Sequence, residues 1–119
     1  MTENELFRIK GEKKGVALLE YYRIIVTDQR IIVARTNRGR TYFTALAPKT
    51  KKFDKMTPEE VLCADKNNFA LSYNDIMHKG KLIGGAIIVP DKNGKMLKIR
   101  ILPGDFKKLK QALTQGAKV

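Results

Sequence analysis

Residues 21 to 35, Tyr21-Tyr22-Arg23-Ile24-Ile25-Val26-Thr27-Asp28-Gln29-Arg30-Ile31-Ile32-Val33-Ala34-Arg35, set two β-branched apolar runs on either side of a short polar break. No other stretch constrains the fold as much. Ile and Val suit the pleated surface of a sheet, and Thr, Asp and Gln close turns by bonding nearby backbone, so the stretch predicts a β-hairpin. A hairpin of this kind is a scaffold element and implies no reaction.

At 119 residues, with 43% hydrophobic and 30% charged positions, the chain can bury one core, and it reads as a single domain over 1–119. Its longest wholly apolar runs, such as Ala86-Ile87-Ile88-Val89, fall far short of the roughly 20 residues of a membrane span. Met1-Thr2-Glu3-Asn4-Glu5 is polar and acidic where a secretory signal is basic and then apolar. Thr2 stands where N-myristoylation needs glycine. The lone Cys63 agrees with a reducing compartment. The expected location is the cytoplasm, at most peripheral to a membrane.

Twenty-four Lys and Arg against 12 Asp and Glu leave a net charge of +12, which attracts anions. The excess is uneven: residues 57–80 carry two basic and four acidic groups, and residues 81–119 nine and two. Lysines also protect sheet edges and keep β-rich proteins soluble, so charge alone does not separate an anion-binding surface from a solvated one.

Along the chain, Leu6 to Lys10 predicts a strand, Gly11 to Gly15 a loop, and Val16 to Val26 and Arg30 to Thr36 the two hairpin strands. Asn37-Arg38-Gly39 then predicts a turn into a fourth strand, Arg40 to Leu46, and Ala47 to Met56 an exposed loop holding Lys49, Lys51, Lys52 and Lys55. Thr57-Pro58-Glu59-Glu60 spells a capped helix start. Phe69, Leu71 and Tyr73 alternate as in a half-buried strand, Lys81 to Ile83 lies between glycines, and Asn93-Gly94 joins strands Ala86 to Val89 and Met96 to Leu102. Asp105 can cap a final helix, Phe106 to Gln115, whose stripe of Phe106, Leu109 and Leu113 packs inward.

The expected architecture is mainly β within the α+β class. About seven antiparallel strands curl into a partly open barrel, with one short inserted helix and a C-terminal helix plugging it. Three stretches carry a family likeness. Val26-Thr27-Asp28-Gln29-Arg30-Ile31-Ile32-Val33, Phe69-x-Leu71-x-Tyr73-x-Asp75-Ile76, and Asn93-Gly94-Lys95 followed by Phe106-x-x-Leu109 together resemble bacterial and archaeal PH-like domains, related to GRAM domains, over about residues 16 to 115. The resemblance implies docking to phospholipid head groups or to peptides, and no chemistry. Lys10, Lys13 and Lys14 stand where phosphoinositide-binding relatives place their first lysines, but Gly15-Val16 follow and the expected arginine is missing. That leaves general attraction to anionic surfaces.

Catalytic and metal-binding readings find little support. One histidine, His78, and one cysteine cannot supply a soft-ligand metal site, and no cofactor motif is present. Cys63 reads as a small packed hydrophobe, His78 as an exposed loop residue, Asp28 as fixing its turn, and Asp75 as ending its strand. Gly84-Gly85 lacks the spacing of a phosphate loop and reads as a bulge or bend. The expected function is a non-catalytic binding module for an anionic membrane surface or a protein or peptide partner. Its candidate contacts are Lys10, Lys13, Lys14, Arg38, Arg40, Lys49, Lys51, Lys52 and Lys55. The alternative is nucleic-acid binding, with Tyr42 and Phe43 either stacking on bases beside Arg38 and Arg40 or filling a strand core.

Overall fold

Ile24, Val26, Ile31 and Val33 face one core and Ile25, Ile32 and Ala34 another, so the central hairpin is buried on both sides. That is why its apolar runs are continuous and do not alternate with polar residues. The computed structural model describes residues 3–14, 18–40 and 55–116, with the backbone alone at 14, 18–19, 36–40 and 116.

The elements run β1 (Glu5–Lys14), β2 (Leu18–Thr27), β3 (Arg30–Arg40), α1 (Pro58–Ala64), β4 (Phe69–Ser72), α2 (Tyr73–Lys79), β5 (Lys81–Ile83), β6 (Ala86–Pro90), β7 (Met96–Ile101) and α3 (Pro103–Gly116). All seven strands join one antiparallel sheet in the order β4-β3-β2-β1-β7-β6-β5. Among the described residues the sheet curls but does not close, with β4 and β5 as its two edges. This is the curled half-barrel expected from the sequence, consistent with a PH-like α+β fold.

The concave face holds the main core, formed by Ile9, Ile24, Val26, Ile31, Val33, Ile87, Val89 and Ile99 with Ile76 of α2 and Leu109 and Leu113 of α3. Phe106 packs against its margin, so the predicted apolar stripe of the last helix does face inward. Lys108 lays its ammonium over the Phe7 ring, 5.7 Å from the centroid, where α3 crosses the start of β1. On the convex face α1 covers only the β2–β3–β4 half, through Val61 and the partly buried Leu62. The capping box predicted at its start is present: Thr57 Oγ1 accepts from the Glu60 amide (3.2 Å) and Glu60 Oε1 from the Thr57 amide (3.0 Å). Those bonds hold the Glu60 carboxyl below its usual pKa.

Four local expectations are corrected. The predicted loop at Gly11 to Lys14 is the second half of β1, because Gly11 is a point of close approach: a Cβ there would lie 2.3 Å from Ile99 Cγ2 on β7. Asn37-Arg38-Gly39 is no turn but the continuation of β3, paired with Tyr21, Glu20 and Leu19. The predicted fourth strand therefore loses its first residue, Arg40, to β3, and its remainder lies outside the described residues. Tyr73 leaves the strand to open α2, where the Ser72 hydroxyl accepts from the Asp75 amide (3.0 Å), so Asp75 lies in a helix's first turn and does not end a strand. Finally, α3 starts at Pro103, which suits a first helical turn, and Asp105 lies within that turn instead of capping it.

Candidate functional site

Strand register brings together basic residues that are far apart in sequence. Lys13 and Lys14 end β1 opposite Glu20 and Leu19 of β2, and β2 pairs onward so that Glu20 faces Arg38 and Leu18 faces Arg40. Because β7 runs antiparallel to β1, from Arg100 opposite Glu12 back toward Met96, the β6–β7 turn rises at the same end. Between these rims lies a cleft of about 580 Å³, lined by Lys13, Glu20, Tyr22, Arg35, Phe69 and Leu97 and by the tips of two loops, Lys66-Asn67 and 91–95.

Local rules hold each wall in place. One extra residue on β3, Thr36, bulges between the pairs Tyr22↔Arg35 and Tyr21↔Asn37, and this places Arg35 across from Tyr22 at the mouth. Asn68 locks the second wall. Its side chain is buried, with Nδ2 donating to the Val61 carbonyl (2.8 Å) and Oδ1 accepting from the Arg35 amide (3.2 Å), which joins α1, β3 and the start of β4. The third wall is the β6–β7 turn, where Asp91 Oδ1 accepts from the amides of Asn93 (2.8 Å) and Lys95 (2.9 Å). Lys92 then reaches across the mouth to donate to the Lys66 carbonyl (2.5 Å).

Five cations, Lys13, Arg35, Lys66, Lys92 and Lys95, face two carboxylates, Glu20 and Asp91, in this lining. Both acids are engaged: Glu20 accepts from the Tyr22 hydroxyl (2.5 Å), and Asp91 holds its turn. Among the described residues the side chains of Lys13, Arg35, Lys66 and Lys95 have no hydrogen-bond or ion-pair partner. Tyr22, Phe69 and Leu97, mostly buried in the core, form an apolar floor. Cations without partners above such a floor attract an anion and offer an organic group a surface to rest on. The lining holds no histidine or cysteine among the described residues. Beside the cleft, where the sheet fails to close, lies a shallower depression of about 900 Å³ between β4 and the β6–β7 hairpin.

Of the residues singled out from sequence, Lys13 lines the cleft, and the backbone register places Lys14, Arg38 and Arg40 at the same end of the sheet. Lys10 is elsewhere, beside a pocket of about 540 Å³ that also includes Gly84, Gly85, Arg100 and Leu102. Lys55 precedes Met56, whose carbonyl accepts from Arg8 near the start of β1 (2.5 Å), so it stands toward the opposite end. Lys49, Lys51, Lys52, Tyr42 and Phe43 lie outside the described residues. Sequence reasoning missed Arg35, Lys66, Lys92 and Lys95. The Asn-Gly signal at Asn93 could have drawn attention to the last two, since it places them on a hairpin tip.

The end of the sheet at the central hairpin turn is built from ion pairs whose partners are satisfied. Arg30 donates to Glu3 (2.9 and 3.1 Å) and to Glu59 of α1 (2.5 Å), which pins the N-terminal segment and α1 to the turn. The Arg30 bonds hold the Glu3 carboxyl below its usual pKa, and the paired carboxylates raise that of Arg30. Thr27, fully buried, closes the turn by accepting from the amides of Gln29 (3.1 Å) and Arg30 (2.9 Å) and donating to Glu3 (2.7 Å). Asp28 instead bonds Asn4, through its amide (3.0 Å) and its side chain (3.2 Å). The Tyr73 hydroxyl donates to the Thr27 carbonyl, and burial, with the nearby Asp28 charge, raises its pKa.

Cys63, expected in the core, is exposed on α1 with its thiol 3.8 Å from Glu59. A seven-residue helix with one buried face turns Val61 inward and leaves Cys63 outside. His78 is exposed, as expected, but in the last turn of α2 and not in a loop. Gly84 and Gly85 form the tight β5–β6 turn, both with positive φ (55° and 78°), a conformation glycine adopts without strain. Among the described residues no group of three or more His, Cys, Asp or Glu could hold a metal ion, and no helix is long and apolar enough to cross a membrane. No protein-family model, curated protein or solved structure matches the chain.

Proposed function

We infer that the chain is a non-catalytic, PH-like docking module that takes the head group of an anionic membrane lipid into the cationic cleft. The observation that carries this reading is the convergence of Lys13, Arg35, Lys66 and Lys95, without partners among the described residues, over the floor of Tyr22, Phe69 and Leu97. A head group supplies the missing anion, and its glycerol end meets the apolar floor. Arg35 and the lysines add attraction that reaches about a Debye length from the bilayer.

The test is sedimentation with phosphatidylserine vesicles at physiological salt. Replacing Lys13, Arg35 and Lys95 together by Gln is expected to weaken binding by about 3 kcal/mol at most, at about 1 kcal/mol per charge near the surface, with thermal stability nearly unchanged. Wild-type protein that ignores such vesicles but binds duplex or single-stranded nucleic acid with a steep salt dependence would overturn the reading in favour of nucleic-acid binding.

A further inference from the structure

We propose that the convex face of the β5–β6–β7 half of the sheet is a second contact with the anionic bilayer, adjoining the cleft; the inference rests on the membrane reading above. Strand alternation decides which residues stand on this face. Ile87 and Val89 of β6 and Leu97, Ile99 and Ile101 of β7 belong to the concave core, and Leu82 of β5 packs against it. The intervening residues therefore stand on the other face: Lys81 and Ile83, then Ile88 and Pro90, half-buried, with Ala86 buried beneath its neighbours, then Met96, Lys98 and Arg100.

Register arranges them in rungs. Ile88 lies between Lys81 and Lys98, Ala86 between Ile83 and Arg100, and Pro90 beside Met96. None of these eight residues is acidic. Of the carboxylates at its edges, Glu12 on β1 is paired with Arg100 at 2.5 Å and Asp91 holds the β6–β7 turn. Ile83 is 56% exposed and Met96 52%, although both stand on a regular sheet. The other half of the same convex face is covered by α1, and among the described residues no element covers this half.

The chemistry of the face favours a bilayer over a folded protein. Its apolar side chains form one narrow stripe, from Ile83 through Ala86, Ile88 and Pro90 to Met96, with Lys81 on one side and Lys98 and Arg100 on the other, so cations edge it along both flanks. The exposed Ile83 and Met96 at its ends can enter the head-group boundary while the flanking lysines extend to lipid phosphates, each on a long flexible stem. A second copy of this chain, with net charge +12, would bring like charge against like. The face is also continuous with the cleft. Met96 follows Lys95 of the cleft rim, and it lines the neighbouring depression together with Phe69, Asp91 and Lys92, which belong to both. A domain lying on this face would hold the cleft mouth at the level of the head groups.

Two readouts separate the face from the cleft: partitioning onto phosphatidylserine-containing vesicles at physiological salt, and titration with inorganic pyrophosphate as a soluble probe of the cleft. Lys81→Gln with Lys98→Gln is expected to weaken vesicle partitioning about thirtyfold, roughly fivefold for each lysine held near the surface. Ile83→Gln with Met96→Gln is expected to weaken it about tenfold by removing the apolar contact. Both double variants should bind pyrophosphate as the wild type does. Vesicle partitioning unchanged in both double variants overturns the proposed face and leaves the cleft standing. Pyrophosphate binding undiminished in the Lys13, Arg35 and Lys95 variant overturns the cleft and leaves the face to its own result. Wild-type protein that does not partition onto these vesicles overturns both.

Discussion

Replacing Leu109 by Ala is expected to lower the stability of the protein by about 2–5 kcal/mol, read as the change in unfolding free energy from a urea titration. Leu109 is 0% exposed in the main core, on the α3 stripe that also buries Leu113. Removing its side chain costs the transfer free energy of the lost methyl and methylene groups and leaves a cavity that strands on one side and a helix on the other cannot both collapse into. A loss below about 1 kcal/mol would mean that α3 is an appendage to the half-barrel instead of the element that fills its concave side. Lys110→Ala, next in sequence but exposed, should change stability by no more than about 0.5 kcal/mol, which separates packing from helix propensity.

Asn68→Ala is expected to destabilise by an amount out of proportion to the size of the side chain. Asn68 is 2% exposed, and its amide satisfies two backbone groups at once, the Val61 carbonyl and the Arg35 N–H. Each buried group left without a partner costs about 1–3 kcal/mol. The same change frees the backbone at Arg35, so Asn68→Ala should also weaken pyrophosphate binding to the folded protein, whereas Leu109→Ala should not. Stability close to that of the wild type would show that α1 and β3 hold their positions without this bridge.

The hairpin, the capping box of α1, the Asn-Gly turn and the inward stripe of α3 were legible because each rests on interactions within about ten residues. Thr57 and Glu60 cap each other, Asn93-Gly94 satisfies its turn locally, and Leu109 and Leu113 recur at helical spacing. Errors arose where a local signal has two physical causes. Glycine marks turns, but it also marks places where one backbone leaves no room for a Cβ, and Gly11 is of the second kind, set against Ile99 from 88 positions away. Phe69, Leu71 and Tyr73 keep a period of two into the first residue of α2, and only the Ser72 cap distinguishes the change of element.

The cleft was harder to foresee for the same reason. Its cations come from β1, β3, the loop after α1 and the β6–β7 turn, one or two from each, and none stands in a run that sequence alone would single out. Crowded lysines, such as those between residues 49 and 55, are conspicuous in sequence, but crowding there says nothing about which charges share a surface. Lys13 is common to both views because strand pairing carries it to the rim that Arg35 and Lys95 complete.

The most direct test of the cleft is an amide NMR titration of the whole chain with pyrophosphate at physiological salt, which locates the bound anion without relying on a variant. The largest shifts are expected at Tyr22, Arg35, Asn67, Asn68 and Asn93 to Lys95, saturating together with one dissociation constant. Shifts spread evenly over exposed lysines such as Lys107, Lys108 and Lys110 of α3, with no saturation and no concentration in the cleft, would contradict the account.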